Sequence, residues 1–62
     1  MPTYDLRYRR SDGVLALQYV IQAISDKAAE EIADQYWMPR YATLEIWRGT
    51  ERVKETKNPG TS

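Results

Sequence analysis

The sequence predicts an α+β domain of order β-β-α-β-β, a four-stranded antiparallel sheet with one helix on one face. Three observations predict it. Residues 3 to 10 alternate with period two, Asp12-Gly13 can join that run to an apolar one in register, and a second alternating run over 41 to 48 closes through Gly49-Thr50.

Along the first run, Tyr4, Leu6 and Tyr8 fall on one side and Thr3, Asp5, Arg7 and Arg9 on the other, as in a half-buried strand. Asp-Gly is a signal for a two-residue type I′ turn, because both central positions need positive φ. Such a turn pairs Tyr8 with Leu17, Leu6 with Tyr19 and Tyr4 with Ile21, three apolar pairs on one face. The second strand is expected from Val14 to about Ala23.

Ser25 or Asp26 then offers an oxygen to the free amides of a first helical turn, so a helix is expected over Lys27 to Trp37. Ala28, Ile32 and Tyr36 form one stripe with Ala29, Ala33 and Trp37 beside it, while Glu30, Glu31 and Asp34 point away. Met38-Pro39 ends the helix, since the residue before proline is pushed out of the helical region.

Tyr41 to Arg48 reads as the third strand. A type II′ turn at Gly49-Thr50 pairs Arg48 with Glu51, Trp47 with Arg52, Ile46 with Val53 and Glu45 with Lys54. The strand order 2-1-3-4 makes every neighbouring pair antiparallel. The expected core is Tyr4, Leu6, Tyr8, Leu15, Leu17, Tyr19, Ile21, Ile32, Tyr36, Leu44, Ile46 and Val53. A competing reading runs one long helix from Val14 to Trp37, giving β-α-β-β, because Leu17, Val20, Ile21, Ile24 and Ala28 also fit helical spacing. Gly13 at its start and the β-branched pair Val20-Ile21 argue against it.

These elements fill residues 2 to 55 as a single α+β mini-domain. Residues 56 to 62 are expected to be a flexible C-terminal tail, since the segment from Glu55 has no apolar residue and ends in turn formers. Met1 to Asp5 lack a basic region followed by an apolar stretch, so a cytoplasmic location is expected, and no apolar run is long enough to span a membrane.

The chain resembles a group of very short, uncharacterised bacterial proteins with the same order of elements. Tyr4 to Gly13 match their Tyr-rich first strand and Asp-Gly turn, Ser25 to Ala33 their capped Ala-rich helix, and Leu44-Glu45-Ile46-Trp47-Arg48-Gly49 their closing Leu-Glu-x-Trp-x-Gly segment. The resemblance spans most of the domain and implies no activity. The second strand here is more apolar than in that group.

Composition narrows the chemistry. With no His and no Cys there is no disulfide, no thiolate-bound metal, no imidazole ligand and no Ser-His or Cys-His pair. No cofactor or metal is expected. Glu30, Glu31 and Asp34 could hold a hard cation, but three acids on an outward helix face are far more often simply solvated. Gly13, Gly49 and Gly60 are isolated turn formers and make no phosphate loop.

One catalytic arrangement is conceivable. Removal of Met1 would leave Pro2 as a terminal secondary amine at the end of a strand, which resembles the small tautomerases. Pro2 would then be the general base, with Arg9, Arg10 or Arg40 holding a substrate carboxylate. The two-hairpin pattern differs from the β-α-β unit of those enzymes, and a non-catalytic role is the expectation.

The face opposite the helix is the more informative constellation. In the registers above it carries Arg7, Arg9, Tyr41, Trp47, Arg52 and Lys54, with Val14, Ala16, Val20 and Ile24 beside them and Asp5 and Glu45 as its only acids. The nine basic and nine acidic residues sum to zero, yet Asp26 to Trp37 hold four acids against one lysine. The neutral total therefore hides a negative helix and a positive remainder. Tryptophan, tyrosine and arginine over an apolar patch are the residues that dominate protein interfaces. The expected function is a small interaction module, an adaptor or inhibitor that also forms a homodimer, with the six residues just named as its partner contacts. Single-stranded nucleic acid on the same face is the alternative, since bases stack on rings and phosphates meet cations.

Overall fold

The computed structural model describes residues 1–57. It shows β1 (Thr3–Arg9), β2 (Leu15–Gln22), α1 (Asp26–Gln35), β3 (Thr43–Arg48) and β4 (Glu51–Lys57). One sheet of order β2-β1-β3-β4 has every neighbouring pair antiparallel. The α+β architecture is therefore the expected one, and Leu15–Gln22 is a strand rather than the start of a long helix. β4 continues to Lys57, so Thr56 and Lys57 are strand, and the rest of the expected tail lies outside the described residues.

The β1–β2 register is the expected one, with Tyr4 opposite Ile21, Leu6 opposite Tyr19 and Tyr8 opposite Leu17. The turn that sets it is not. Gly13 N–H donates to Arg10 C=O at 2.9 Å and Arg10 N–H to Val14 C=O at 3.0 Å, so the loop has three residues, Ser11-Asp12-Gly13. Only Gly13 has positive φ, at 87°, and Asp12 does not. A two-residue type I′ turn is excluded, and the loop is a β-turn closed by a left-handed glycine. Asp12 instead caps the turn by accepting from Val14 N–H at 3.1 Å. The longer loop moves the pairing by one residue, and a bulge moves it back: Arg9 faces Leu15 while Tyr8 faces Leu17, leaving Ala16 as the extra residue.

In the second hairpin no such cancellation occurs. Gly49 has φ 62° and Thr50 is not positive, as a type II′ turn requires, and Arg48–Glu51 and Trp47–Arg52 pair as expected. Beyond them the ladder shifts by one residue, so that Ile46 faces Lys54 and Glu45 faces Glu55. The expected pairs Ile46–Val53 and Glu45–Lys54 are thus replaced, with Val53 as the extra residue.

The core is built on β1, where Tyr4, Leu6 and Tyr8 are all fully buried, with Leu44 and Ile46 of β3 beside them. Burial of each such side chain contributes on the order of 2 kcal/mol. Ala29 and Ala33 are the buried residues of α1, and their small side chains let its backbone lie close to the sheet. Ser25 caps it, accepting from Ala28 N–H at 3.1 Å. Three expected core residues stand outside: Leu15 is 43% exposed, Tyr19 44% and Tyr36 53%. Leu15 lies on the face opposite the helix, because the bulge at Ala16 sets it across from Arg9, whereas Tyr19 lies on the helix side of β2, an outer strand. A helix about 10 Å wide covers only about two strands spaced at ~4.8 Å, so both outer strands are left open on the helix side. Tyr36, the C-cap of α1, which ends at Gln35 rather than at the expected Trp37, borders the same uncovered side of β2 together with Tyr19 and Ile21.

Candidate interaction surface

The ladders place three cross-strand rows on the face opposite the helix. In the order β2-β1-β3-β4 these are Val20–Asp5–Trp47–Arg52, Gln18–Arg7–Glu45–Glu55 and Leu15–Arg9–Thr43–Lys57. Among the described residues no element covers this face. Arg7, Arg9, Trp47 and Arg52 therefore come together there as expected.

Lys54 does not join them. The bulge at Val53 turns Lys54 to the helix side, where its Nζ donates to Glu30 Oε1 at 3.0 Å. Tyr41 does not join them either. It lies before β3, and its ring packs on Tyr8 of the core at 5.6 Å between centroids. In place of Lys54 the same bulge brings Glu55 and Lys57 onto the open face, residues that period-two spacing from Gly49 assigns to the other side.

The arginines on this face are paired with its acids. Glu45, only 4% exposed, sits at its centre. Arg9 Nε donates to Glu45 Oε1 at 3.1 Å and the Trp47 indole N–H to the same oxygen at 3.0 Å. Arg52 Nη1 lies 3.6 Å from Glu45 Oε2 and 3.3 Å from Glu55 Oε2. Glu45 and Glu55 are directly opposite like charges, an unfavourable pair by itself, and Arg52 bridging both offsets it. Burial works to raise the Glu45 pKa. The hydrogen bonds from Trp47 and Arg9, with the charges of Arg9 and Arg52, outweigh it and hold the carboxyl below its usual value. Arg7 stacks on the Trp47 ring with its guanidinium carbon 4.6 Å from the centroid and lies 3.5 Å from Asp5.

The arginines expected as partner contacts are thus held by Asp5, Glu45 and Glu55. The face is a lattice of paired charges, four bases against three acids with Lys57 included, with an aromatic–guanidinium stack at its centre and Val20, 65% exposed, at its β2 side.

The residues of the tautomerase-like arrangement are not brought together. Pro2 precedes β1, and its carbonyl accepts from Ala23 N–H at 3.1 Å, whereas Arg9 and Arg10 lie at the other end of that strand. Seven residues of strand separate Pro2 from Arg9 by about 23 Å. Arg9 is bonded to Glu45, and Arg10 to Asp12 at 2.8 Å. Arg40 lies over the Tyr41 ring, 5.9 Å from its centroid. Among the described residues no group of three or more acids could hold a metal ion, and Glu30 is paired with Lys54. No helix among them is long and apolar enough to cross a membrane.

No protein-family model, curated protein or solved structure shows a significant match to this chain.

Proposed function

We propose that this chain is a small, non-catalytic protein-interaction module, an adaptor or inhibitor, that docks a larger protein through the open face of its sheet. The observation that carries this reading is the Arg7–Trp47 stack at 4.6 Å, set beside exposed Val20 on a face that no described element covers. Aromatic and arginine side chains pre-ordered by each other lose little freedom on binding, which is the property of interface anchors. The pairing of these arginines favours a protein partner over nucleic acid, because arginines already held by carboxylates release few counterions on meeting phosphates.

The test is photo-crosslinking in the source cell from a reactive amino acid placed at Gln18, with one at Glu31 on the exposed helix face as control. Identification of the adduct is followed by binding of the purified protein it contains. A protein adduct specific to position 18, whose binding weakens by about thirtyfold or more in Trp47→Ala with the fold retained, supports the reading. Equal adducts from both positions, or adducts to nucleic acid and binding of a short oligothymidylate that falls steeply with salt, would overturn it.

A further inference from the structure

The two edges of the sheet are unlike. β4 carries Glu51, Arg52, Lys54, Glu55 and Lys57 within seven residues and is interrupted by the bulge at Val53. β2 carries no charge at all, and neither does any residue from Gly13 through Ser25. Its bulge lies at the hairpin end, so Leu17 to Gln22 form a regular edge. Charges and bulges are the devices that keep an edge from pairing with another chain, and β4 has both while most of β2 has neither.

The phase of the ladder shows what that edge presents. Ala23 N–H donates to Pro2 C=O, so this opposed pair is a hydrogen-bonded one. Directly opposite residues alternate between bonded and non-bonded pairs along an antiparallel ladder. Ile21, Tyr19 and Leu17 therefore bond to β1, and the backbone groups of Gln18, Val20 and Gln22 point outward from the sheet. Their side chains lie on the open face, opposite Arg7, Asp5 and Thr3, while Tyr19 and Ile21 lie on the helix side. There they border a groove of about 330 Å³ shared with Tyr36 and Met38.

We infer that this edge pairs with β2 of a second copy, antiparallel about a two-fold axis at Val20, joining two four-stranded sheets into one of eight strands. The inference rests on the reading of the chain as an interaction module and names the partner that takes its edge. The strand is self-complementary in this register. Val20 faces Val20 of the second copy, Gln18 faces Gln22, Tyr19 faces Ile21 and Leu17 faces Ala23, so amide meets amide and apolar meets apolar at each position, and every outward backbone group meets an outward one. Moving the axis to Tyr19 would put Val20 opposite Gln18. Pairing β2 with β4 of a neighbour would set an uncharged strand against a charged one and leave free edges at both ends, an open chain of copies rather than a closed pair. The two-fold arrangement also sets the two grooves side by side and covers Tyr19 of each copy with Ile21 of the other.

The experiment is sedimentation equilibrium of the whole chain, with circular dichroism and thermal unfolding to report the fold. The unaltered chain is expected at twice its 7.3 kDa mass. Val20→Lys places two like charges face to face at the axis, and Val20→Glu does the same with the opposite sign. Each alone should be a folded monomer, and an equimolar mixture should recover the dimer mass. Val20→Pro, which removes an outward N–H that β1 does not use, should also be a monomer. A monomeric unaltered chain overturns the inference, as does a dimer that survives Val20→Lys and Val20→Pro, or a Lys/Glu mixture that stays monomeric. The docking reading fails separately: a dimer without any Trp47-dependent partner leaves the β2 pairing intact, and a monomer that still binds such a partner does the reverse.

Discussion

The Tyr4 hydroxyl donates to Asp26 Oδ1 at 2.6 Å, joining the second residue of β1 to the first residue of α1. Four residues further along β1, the Tyr8 hydroxyl donates to the Tyr36 carbonyl at 2.8 Å, at the other end of the helix. Four strand residues span about 13 Å and ten helical residues about 15 Å, so two tyrosines on one face of β1 match the length of α1 and hold both its ends. Arg48 Nη1 donates to the same Asp26 oxygen at 2.6 Å, which brings β3 into the first anchor.

The first anchor makes stability depend on pH at both extremes. The hydrogen bond from Tyr4, together with Arg48, holds the Asp26 carboxyl below its ordinary 3.8. A depressed carboxyl stabilises the fold above its unfolded pKa and ceases to do so as pH falls through the folded value. Glu45, also depressed, acts in the same direction below about 4.5. The same bond to Asp26, with burial, raises the Tyr4 hydroxyl above 10.0. Its contribution is complete below pH 10 and is lost as pH rises through the folded value. Urea denaturation across pH should therefore give a plateau near neutrality, a fall below about 4.5 and another above 10. Tyr4→Phe should reduce the alkaline fall and return Asp26 toward 3.8, read by carboxyl chemical shifts.

The second anchor can be deleted cleanly. Tyr8→Phe keeps the buried ring and its edge-on contact with Tyr19, at 6.0 Å between centroids, while leaving the Tyr36 carbonyl without this donor. The expected loss is about 1 kcal/mol of unfolding free energy. Amide exchange should accelerate at the C-terminal end of α1 more than at its Ser25 end. Uniform acceleration would show that the hydroxyl does not hold that end in particular.

Glu45 is the acceptor for both Arg9 and Trp47 on the open face. Glu45→Ala removes it and leaves a partly buried indole N–H and a guanidinium without their carboxylate, at an expected cost of about 2 to 3 kcal/mol. Glu45→Gln keeps an acceptor oxygen and should cost about 1 kcal/mol. Chemical denaturation of the two variants checks the order, and equal losses would mean that charge, rather than the hydrogen bonds, dominates at this position.

Gly13 and Gly49 close the two hairpins with φ of 87° and 62°, and a Cβ at either meets nothing within 4 Å. An alanine at either should therefore cost about 1 kcal/mol from backbone conformation alone, without steric displacement. Gly13→Asn should cost less than Gly13→Ala, because asparagine tolerates the left-handed region. Thermal unfolding of the three variants gives the comparison.

How far the site was legible depended on which hairpin a residue belongs to. Arg7, Arg9 and Trp47 lie on strands paired without irregularity to one another, and alternation places them on the right face. Lys54 lies beyond a bulge. One extra residue at Val53 exchanges the faces of everything after it, and neither turn residues nor apolar spacing in Glu51 to Lys57 mark where that residue falls. In the first hairpin, a three-residue loop and a bulge at Ala16 cancel, so the expected register of Tyr4, Leu6 and Tyr8 is correct although the turn type is not.

By itself the sequence determines the order of elements, the four antiparallel strands, a helix cap at Ser25 or Asp26 and the buried face of β1, because these follow from local periodicity and from residues that set their own φ. Tertiary structure alone decides the rest: the neutralisation of Arg7, Arg9 and Arg52 by carboxylates, the exposure of Tyr19 and Tyr36, and the turning of Lys54 to the helix. Each depends on how strands align across the sheet and how much of it one helix can cover, and these distances between elements leave no periodic trace along the chain.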